Sequence, residues 1–151
     1  MKTIEINLYE FDELGEEEQK RALRELSDIN TDFDWWEFVY EDAEQIGCEI
    51  KGFDLWGKTI GFGFKQDPET IAENIIKSHG KDCDTYKAAK AFKKEQNGSQ
   101  FKFQLKECYF KMLENDYAHR TSKEAIIETI ECNDYEFAKD GTLYHYHLWT
   151  T

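Results

Sequence analysis

The residues Gly52-Phe53-Asp54-Leu55-Trp56-Gly57-Lys58-Thr59 fit G-x-x-x-x-G-K-[ST], the pattern of a loop that cradles phosphate. That chemistry needs a pliant glycine loop and then a helix whose free N–H groups face the phosphate. Here Thr59 to Lys65 alternates like a strand, and the loop interior is Phe, Asp, Leu and Trp. No hydrophobic strand ending in an acid supplies a magnesium site. The pattern therefore predicts a hairpin turn. His145 and His147 share a strand face, as metal ligands can, but Leu143 and Trp149 share it too. No third ligand completes a set, so they read as structural histidines among aromatics. Neither metal nor other cofactor is expected. Ser27, Ser78, Ser99 and Ser122 suit helix caps or surfaces, and none lies in a nucleophile elbow. Cys48, Cys83, Cys108 and Cys132 form no C-x-x-C and have no signature histidine beside them. Carboxylates are too numerous for one acid/base couple to stand out. Asn97-Gly98-Ser99 fits a glycosylation sequon that a cytoplasmic chain never presents to that machinery. These readings point away from an enzyme and from catalytic residues.

Binding chemistry is better represented. Trp35 and Trp36 are adjacent, and neighbours on a helix point about 100° apart, so both cannot be buried equally. Trp36 is the expected exposed anchor of an interaction hot spot. Glu16, Glu17 and Glu18 open one helix, and Glu37, Glu41 and Glu44 lie on another. Helices studded with carboxylates imitate the field of a polynucleotide; acidity for solubility alone is the plainer account.

The elements that must hold these groups follow from pattern. Thr3 to Phe11 alternates, with Ile4, Ile6 and Leu8 on one face, and predicts a half-buried strand. Gly15 is the expected N-cap of a helix whose three glutamates complement the positive end of its dipole. Leu23, Leu26 and Ile29 make its apolar stripe. Asp34 with Glu37 has capping-box spacing, and Phe33 with Phe38 has that of a hydrophobic staple. Trp35, Val39, Ala43 and Ile46 then follow helical spacing to Gly47, with Glu37, Glu41, Asp42 and Glu44 left to solvent. A hairpin over 48–65 carries a bulge near Gly52 and leaves a bare Gly61/Gly63 face, a route to a homodimer. Asp67-Pro68 starts a helix at N1, stopped by Gly80. A helix from about Asp84 to Gln96 bears the basic patch Lys87, Lys90, Lys93 and Lys94. Ser99 caps a long helix to about His119 with Phe101, Leu105, Cys108 and Met112 in its stripe. Thr121 with Glu124 forms a second capping box. Tyr135 and Phe137 lead into an Asp140-Gly141 turn, and Leu143 to Trp149 returns. The sum is an α+β fold: one antiparallel sheet, made of the N-terminal strand, the central hairpin and the C-terminal hairpin, covered by about six helices.

Composition sets the frame. The 151 residues, 34% of them charged, suit one domain, 1–151, and 15% aromatic content supports a packed core beneath a heavily charged surface. No apolar run reaches the roughly 20 residues of a membrane span, and the N-terminus lacks a secretory h-region. Reduced thiols in a cytoplasm follow. The net charge is −13, which disfavours direct contact with nucleic acid or an anionic membrane and suits a basic partner. Residues 1–50 hold 16 acids and 4 bases, so most of the excess lies in the first third.

Three segments, Ile6-Asn7-Leu8-Tyr9-Glu10-Phe11-Asp12-Glu13-Leu14, Trp35-Trp36-Glu37-Phe38-Val39-Tyr40-Glu41-Asp42-Ala43 and Glu49-Ile50-Lys51-Gly52-Phe53-Asp54-Leu55, resemble small acidic proteins of bacteriophages and mobile elements. The closing Tyr135-Glu136-Phe137-Ala138-Lys139-Asp140-Gly141 is similar to their usual ending. Some members are labelled antitoxins, and small acidic phage proteins of this kind include anti-CRISPR inhibitors of bacterial defence. Gly15 stands where those proteins would have a capping serine. The resemblance supplies no catalytic residue. It implies a cytoplasmic inhibitor, in a bacterial host, of a nucleic-acid-handling protein such as a Cas9-type nuclease. The expected contacts are Glu16, Glu17, Glu18, Trp36, Glu37, Glu41 and Glu44. An antitoxin covering a toxin, or an enzyme on a small molecule without a recognisable motif, are the alternatives.

Overall fold

The computed structural model describes residues 2, 3 and 5–144. The chain gathers into two compact units, Asp34–Tyr117 and the flanks Met1–Phe33 with Ala118–Thr151. The fold is α+β, with six α-helices and one two-stranded antiparallel sheet among the described residues. None of those helices is long and apolar enough to cross a membrane.

The flanking unit opens with a 3-10 turn, Phe11–Glu13, and α1, Glu16–Glu25. Gly15 is the N-cap of α1, as expected, and Glu16, Glu17 and Glu18 fill its first turn. Among the described residues of Thr3 to Phe11 no N-terminal strand forms. Only Tyr9 pairs, in an isolated antiparallel bridge with Phe137, and Ile6 is 52% exposed. Alternation makes a strand only where a partner ladder exists, and residues 5–8 have none among the described residues. Around Asp140-Gly141 the chain reverses as predicted: Phe137 bridges Leu143, and Asp140 Oδ1 accepts the Thr142 N–H. Gly141 has φ +91°, and a side chain there would run into the backbone of Glu18. The returning strand beyond Tyr144, with His145, His147 and Trp149, lies outside the described residues. Phe11, Leu14, Ala22, Ile126, Ile130 and Phe137 make this unit's core.

The central unit holds α2 (Glu37–Gln45), β1 (Cys48–Asp54), β2 (Thr59–Phe64), α3 (Pro68–Ser78) and α4 (Asp84–Glu95). It also holds most of α5 (Gly98–Arg120); α6, Lys123–Cys132, belongs to the flanking unit. The hairpin is as read, with its register shift between Ile50 and Gly52. The glycine-lysine motif is its turn: Asp54 Oδ1 accepts the N–H groups of Trp56 and Gly57. Ile50, Ile60 and Phe62 are buried against Ile71 and Ile75 of α3 and Leu105 and Tyr109 of α5, within one cluster. Full burial of each large aliphatic side chain there stabilises by roughly 1.5–3 kcal/mol.

Three helix starts differ from expectation. Trp36, not Asp34, is the N-cap of α2, and Phe33 and Phe38 are both exposed, so no staple forms. Asn97 Oδ1 accepts the Gln100 N–H in place of a Ser99 cap. Ser122, not Thr121, caps α6 by accepting the Ala125 N–H. In α5 the buried stripe is Phe101, Leu105, Tyr109 and Leu113, a strict i+4 row, while Cys108 and Met112 sit at its margin. The Gly61/Gly63 face is not bare. A methyl group at Gly61 would stand 3.2 Å from Lys51 Cβ, and one at Gly63 3.7 Å from Lys51 Cε. The stem of the bulged Lys51 covers both, and Glu49 pairs with Lys51 and Lys65 beside it. A charged edge of this kind opposes strand-to-strand association.

Candidate functional site

α2 brings three of the expected contacts into one row. Glu37, Glu41 and Glu44 are spaced i, i+4, i+7 and so fall within about 60° on the helix. All three are exposed, and none has an ion-pair partner among the described residues. Their far side is buried by Ala43, with Trp35 and Ile46 flanking the helix in the same core. Asp42, expected in solvent, turns inward instead.

Trp36 is half-buried rather than exposed. Its ring packs edge-on against Trp35 at 5.6 Å and Phe53 at 5.9 Å, against the core. The exposed aromatic on α2 is Phe38, at 76%. It borders the glutamate row, being one residue from Glu37 and three from Glu41. The staple spacing concealed it: a phenylalanine at N4 reads as packed until Phe33 is seen elsewhere. Trp56, at the hairpin turn, is 83% exposed, with its ring 5.9 Å from Tyr117.

The α1 glutamates are differently placed, in the flanking unit. Lys20 stands 3.9 Å from Glu16 and 3.4 Å from Glu17, and Glu18 is half-buried. With Arg21 held by Glu25 and Asp140, α1 carries its own countercharges. Its electrostatic reach is short compared with that of α2.

A second array was invisible in the sequence. Asp42 Oδ1 lies 3.2 Å from His79 Nε2, and His79 Nδ1 lies 2.5 Å from Thr85 Oγ1. The Tyr109 hydroxyl donates to Asp42 Oδ2 at 2.7 Å. A carboxylate only accepts, so His79 Nε2–H donates to Asp42, while the direction of the hydrogen bond between His79 Nδ1 and the Thr85 hydroxyl is set by the ring's tautomer. Burial would raise the Asp42 pKa, but the hydrogen bonds from His79 and Tyr109 outweigh it and hold the carboxyl below its ordinary value. Burial, then Asp42 itself, pushes the Tyr109 phenol far up. Hydroxyl, imidazole and carboxylate follow the order of a hydrolytic triad. Thr85 has no exposed surface, however, so no substrate carbonyl can reach its hydroxyl. The array pins α2, the end of α3, α4 and α5 together.

Two of the cysteines, Cys48 and Cys108, are held as thiols. Burial raises Cys48 to about 12. Burial, with Asp84 and Glu107 nearby, raises Cys108 to about 11. Among the described residues no group of three or more His, Cys, Asp or Glu is placed to hold a metal ion. A groove of about 780 Å³ lies between the start of β2, α4 and α5. Its floor includes Ile60, Ala88 and Phe110, and Lys58, Lys87, Lys106 and Lys111 stand around it. Phe103, 61% exposed, also lines it.

Compared with protein-family models, curated proteins and solved structures, the chain matches none.

Proposed function

We propose that this protein is a non-enzymatic inhibitor, of phage type, that occupies a basic nucleic-acid channel of a bacterial defence nuclease, a Cas9-type effector being the leading target. The observation that carries the reading is the Glu37/Glu41/Glu44 row beside exposed Phe38. Three carboxylates over about 10 Å of helix axis give intervals of roughly 6 and 4.5 Å, somewhat wider than the roughly 3.4 Å per phosphate along one strand of a duplex. Channels that hold a guide heteroduplex are lined with cations, and unpaired carboxylates meet them without first breaking bonds of their own. Net charge accelerates docking, and Phe38 supplies desolvated contact area. The resemblance of both chain ends to small acidic phage proteins points the same way.

The test is binding to the guide-loaded effector, measured at several salt concentrations with and without target DNA. Binding that competes with DNA and falls steeply with salt is expected. E37K/E41K/E44K should weaken it at least about a hundredfold and F38A about tenfold. Full affinity in both variants removes the proposal. An antitoxin role uses the same surface against a basic toxin; rescue of growth on co-expression with a neighbouring toxin would move the assignment there.

A further inference from the structure

The acidic row and the lysine-ringed groove lie on the same unit and complement each other. From 84 to 114 the chain holds 4 acids and 7 bases, a net +3 within a protein of −13. Asp84, Glu107 and Glu114 share the groove's rim, yet Lys58 adds to the cations, and Lys90, Lys94 and Lys102 flank it on α4 and α5. Lys58, Lys87, Lys106 and Lys111 have no ion-pair partner among the described residues, in contrast to Lys20, Lys51, Lys65 and Lys93.

The groove is also apolar in a way that a solvated face is not. α5 buries Phe101, Leu105, Tyr109 and Leu113 on one side and carries Phe103, 61% exposed, on the other, with Phe110 partly buried between them; both of these phenylalanines line the groove. A helix with apolar residues on opposite sides expects cover on both. What fits between α4 and α5 is a helix with an aromatic anchor and negative flanks, the usual groove-binding mode. α2 has that composition: Phe38 with Glu37, Glu41 and Glu44. None of these four residues lines the groove of its own chain.

We infer that the groove between α4 and α5 receives α2 of a second copy of this chain. Donating and receiving surfaces belong to one unit, so a two-fold arrangement makes the contact twice, each protomer giving α2 and taking its partner's. The dimer hides the acidic row, and self-association then competes with any basic target for α2. This is a different route to a homodimer from the Gly61/Gly63 face, which Lys51 covers. Repulsion between two −13 chains is damped beyond about 8 Å at physiological salt, whereas contact pairs persist.

Sedimentation equilibrium of the protein alone, up to about 300 μM in 0.15 M salt, tests this. A monomer–dimer equilibrium is expected. E37K/E41K and K106E/K111E, all at exposed positions, should each weaken it at least tenfold. The four-substitution variant E37K/E41K/K106E/K111E, with both surfaces reversed, should restore it. A wild type that stays monomeric, a reversal that leaves the dimer intact, or a quadruple variant that fails to recover overturns the inference; the first of these would leave the groove to a foreign acidic helix. No target is present in the experiment. Its failure therefore leaves inhibition standing, and K106E/K111E, monomeric with α2 unaltered, still reads target binding by itself.

Discussion

At the scale of single residues, Asp42 joins α2 to the end of α3 and to α5 through His79 and Tyr109. Asp42 looked like one acid among many, and nothing linear joins positions 42, 79, 85 and 109. Their meeting is a product of tertiary packing alone. The consequence is measurable as pH dependence. Because the folded Asp42 carboxyl sits below its ordinary value, near 3.8, its ionised form stabilises the fold. That contribution is complete above the ordinary value and is lost as pH falls through the lower folded one. Asp42→Asn should therefore destabilise by about 1–2 kcal/mol at pH 7, a figure reduced for the carboxylate's partial exposure. The difference from wild type should shrink below about pH 4. Denaturant melts of both proteins at pH 7 and pH 3 check it. A gap independent of pH would mean that packing, not the hydrogen bonds to the carboxylate, sets the cost. Phe38 was concealed for a related reason: its spacing from Phe33 matched a staple, yet a staple depends on where the chain enters the helix.

At the scale of elements, periodicity was reliable wherever one buried face dictated it. The Cys48–Asp54/Thr59–Phe64 hairpin, its bulge, the Pro68 start of α3 and the Gly15 cap of α1 all follow from local rules that tertiary structure left alone. Strands that need distant partners did not. Thr3 to Phe11 alternates properly, but the only ladder it meets among the described residues is the bridge to Phe137. Adjacent capping candidates were also ambiguous, since Thr121 and Ser122 both precede α6 and only the hydrogen bond decides. Ser122→Ala should cost about 1 kcal/mol and Thr121→Ala markedly less, as thermal or urea midpoints will show. Equal losses would return the cap to Thr121. Gly141→Ala is the harsher change. Its φ of +91° is strained for any side chain, and the added methyl meets the Glu18 backbone, so about 2 kcal/mol or more is expected by the same measurement.

Across the whole molecule, charge and core divide differently from the sequence's thirds. The central unit, 34–117, has 16 acids and 12 bases; the flanks together have 16 acids and 7 bases. The flanks are thus more acidic, at −9 against −4, yet their carboxylates on α1 are partly neutralised by Lys20 and Arg21, whereas those on α2 are not. The residue count predicted one domain, and the number of cooperative transitions decides how that applies. Among the described residues the central cluster has 17 buried residues and the flanking one 6, with none in common. Burial scales with stability, so the flanking unit is the weaker. Its polar ties include Asn30, which donates to the Arg120 carbonyl and accepts from Thr129, and the Arg21–Asp140 pair. Native-state amide exchange should therefore show lower opening free energies for α1 and α6 than for α3 and the core side of α5. Phe137→Ala, which empties the centre of the smaller cluster, should lower protection in α1 and α6 by about 3–5 kcal/mol, or to the limit of their stability, and leave α3 unchanged. If α3 loses protection in parallel, the two units open as one, and the single domain expected from length describes the folding unit as well.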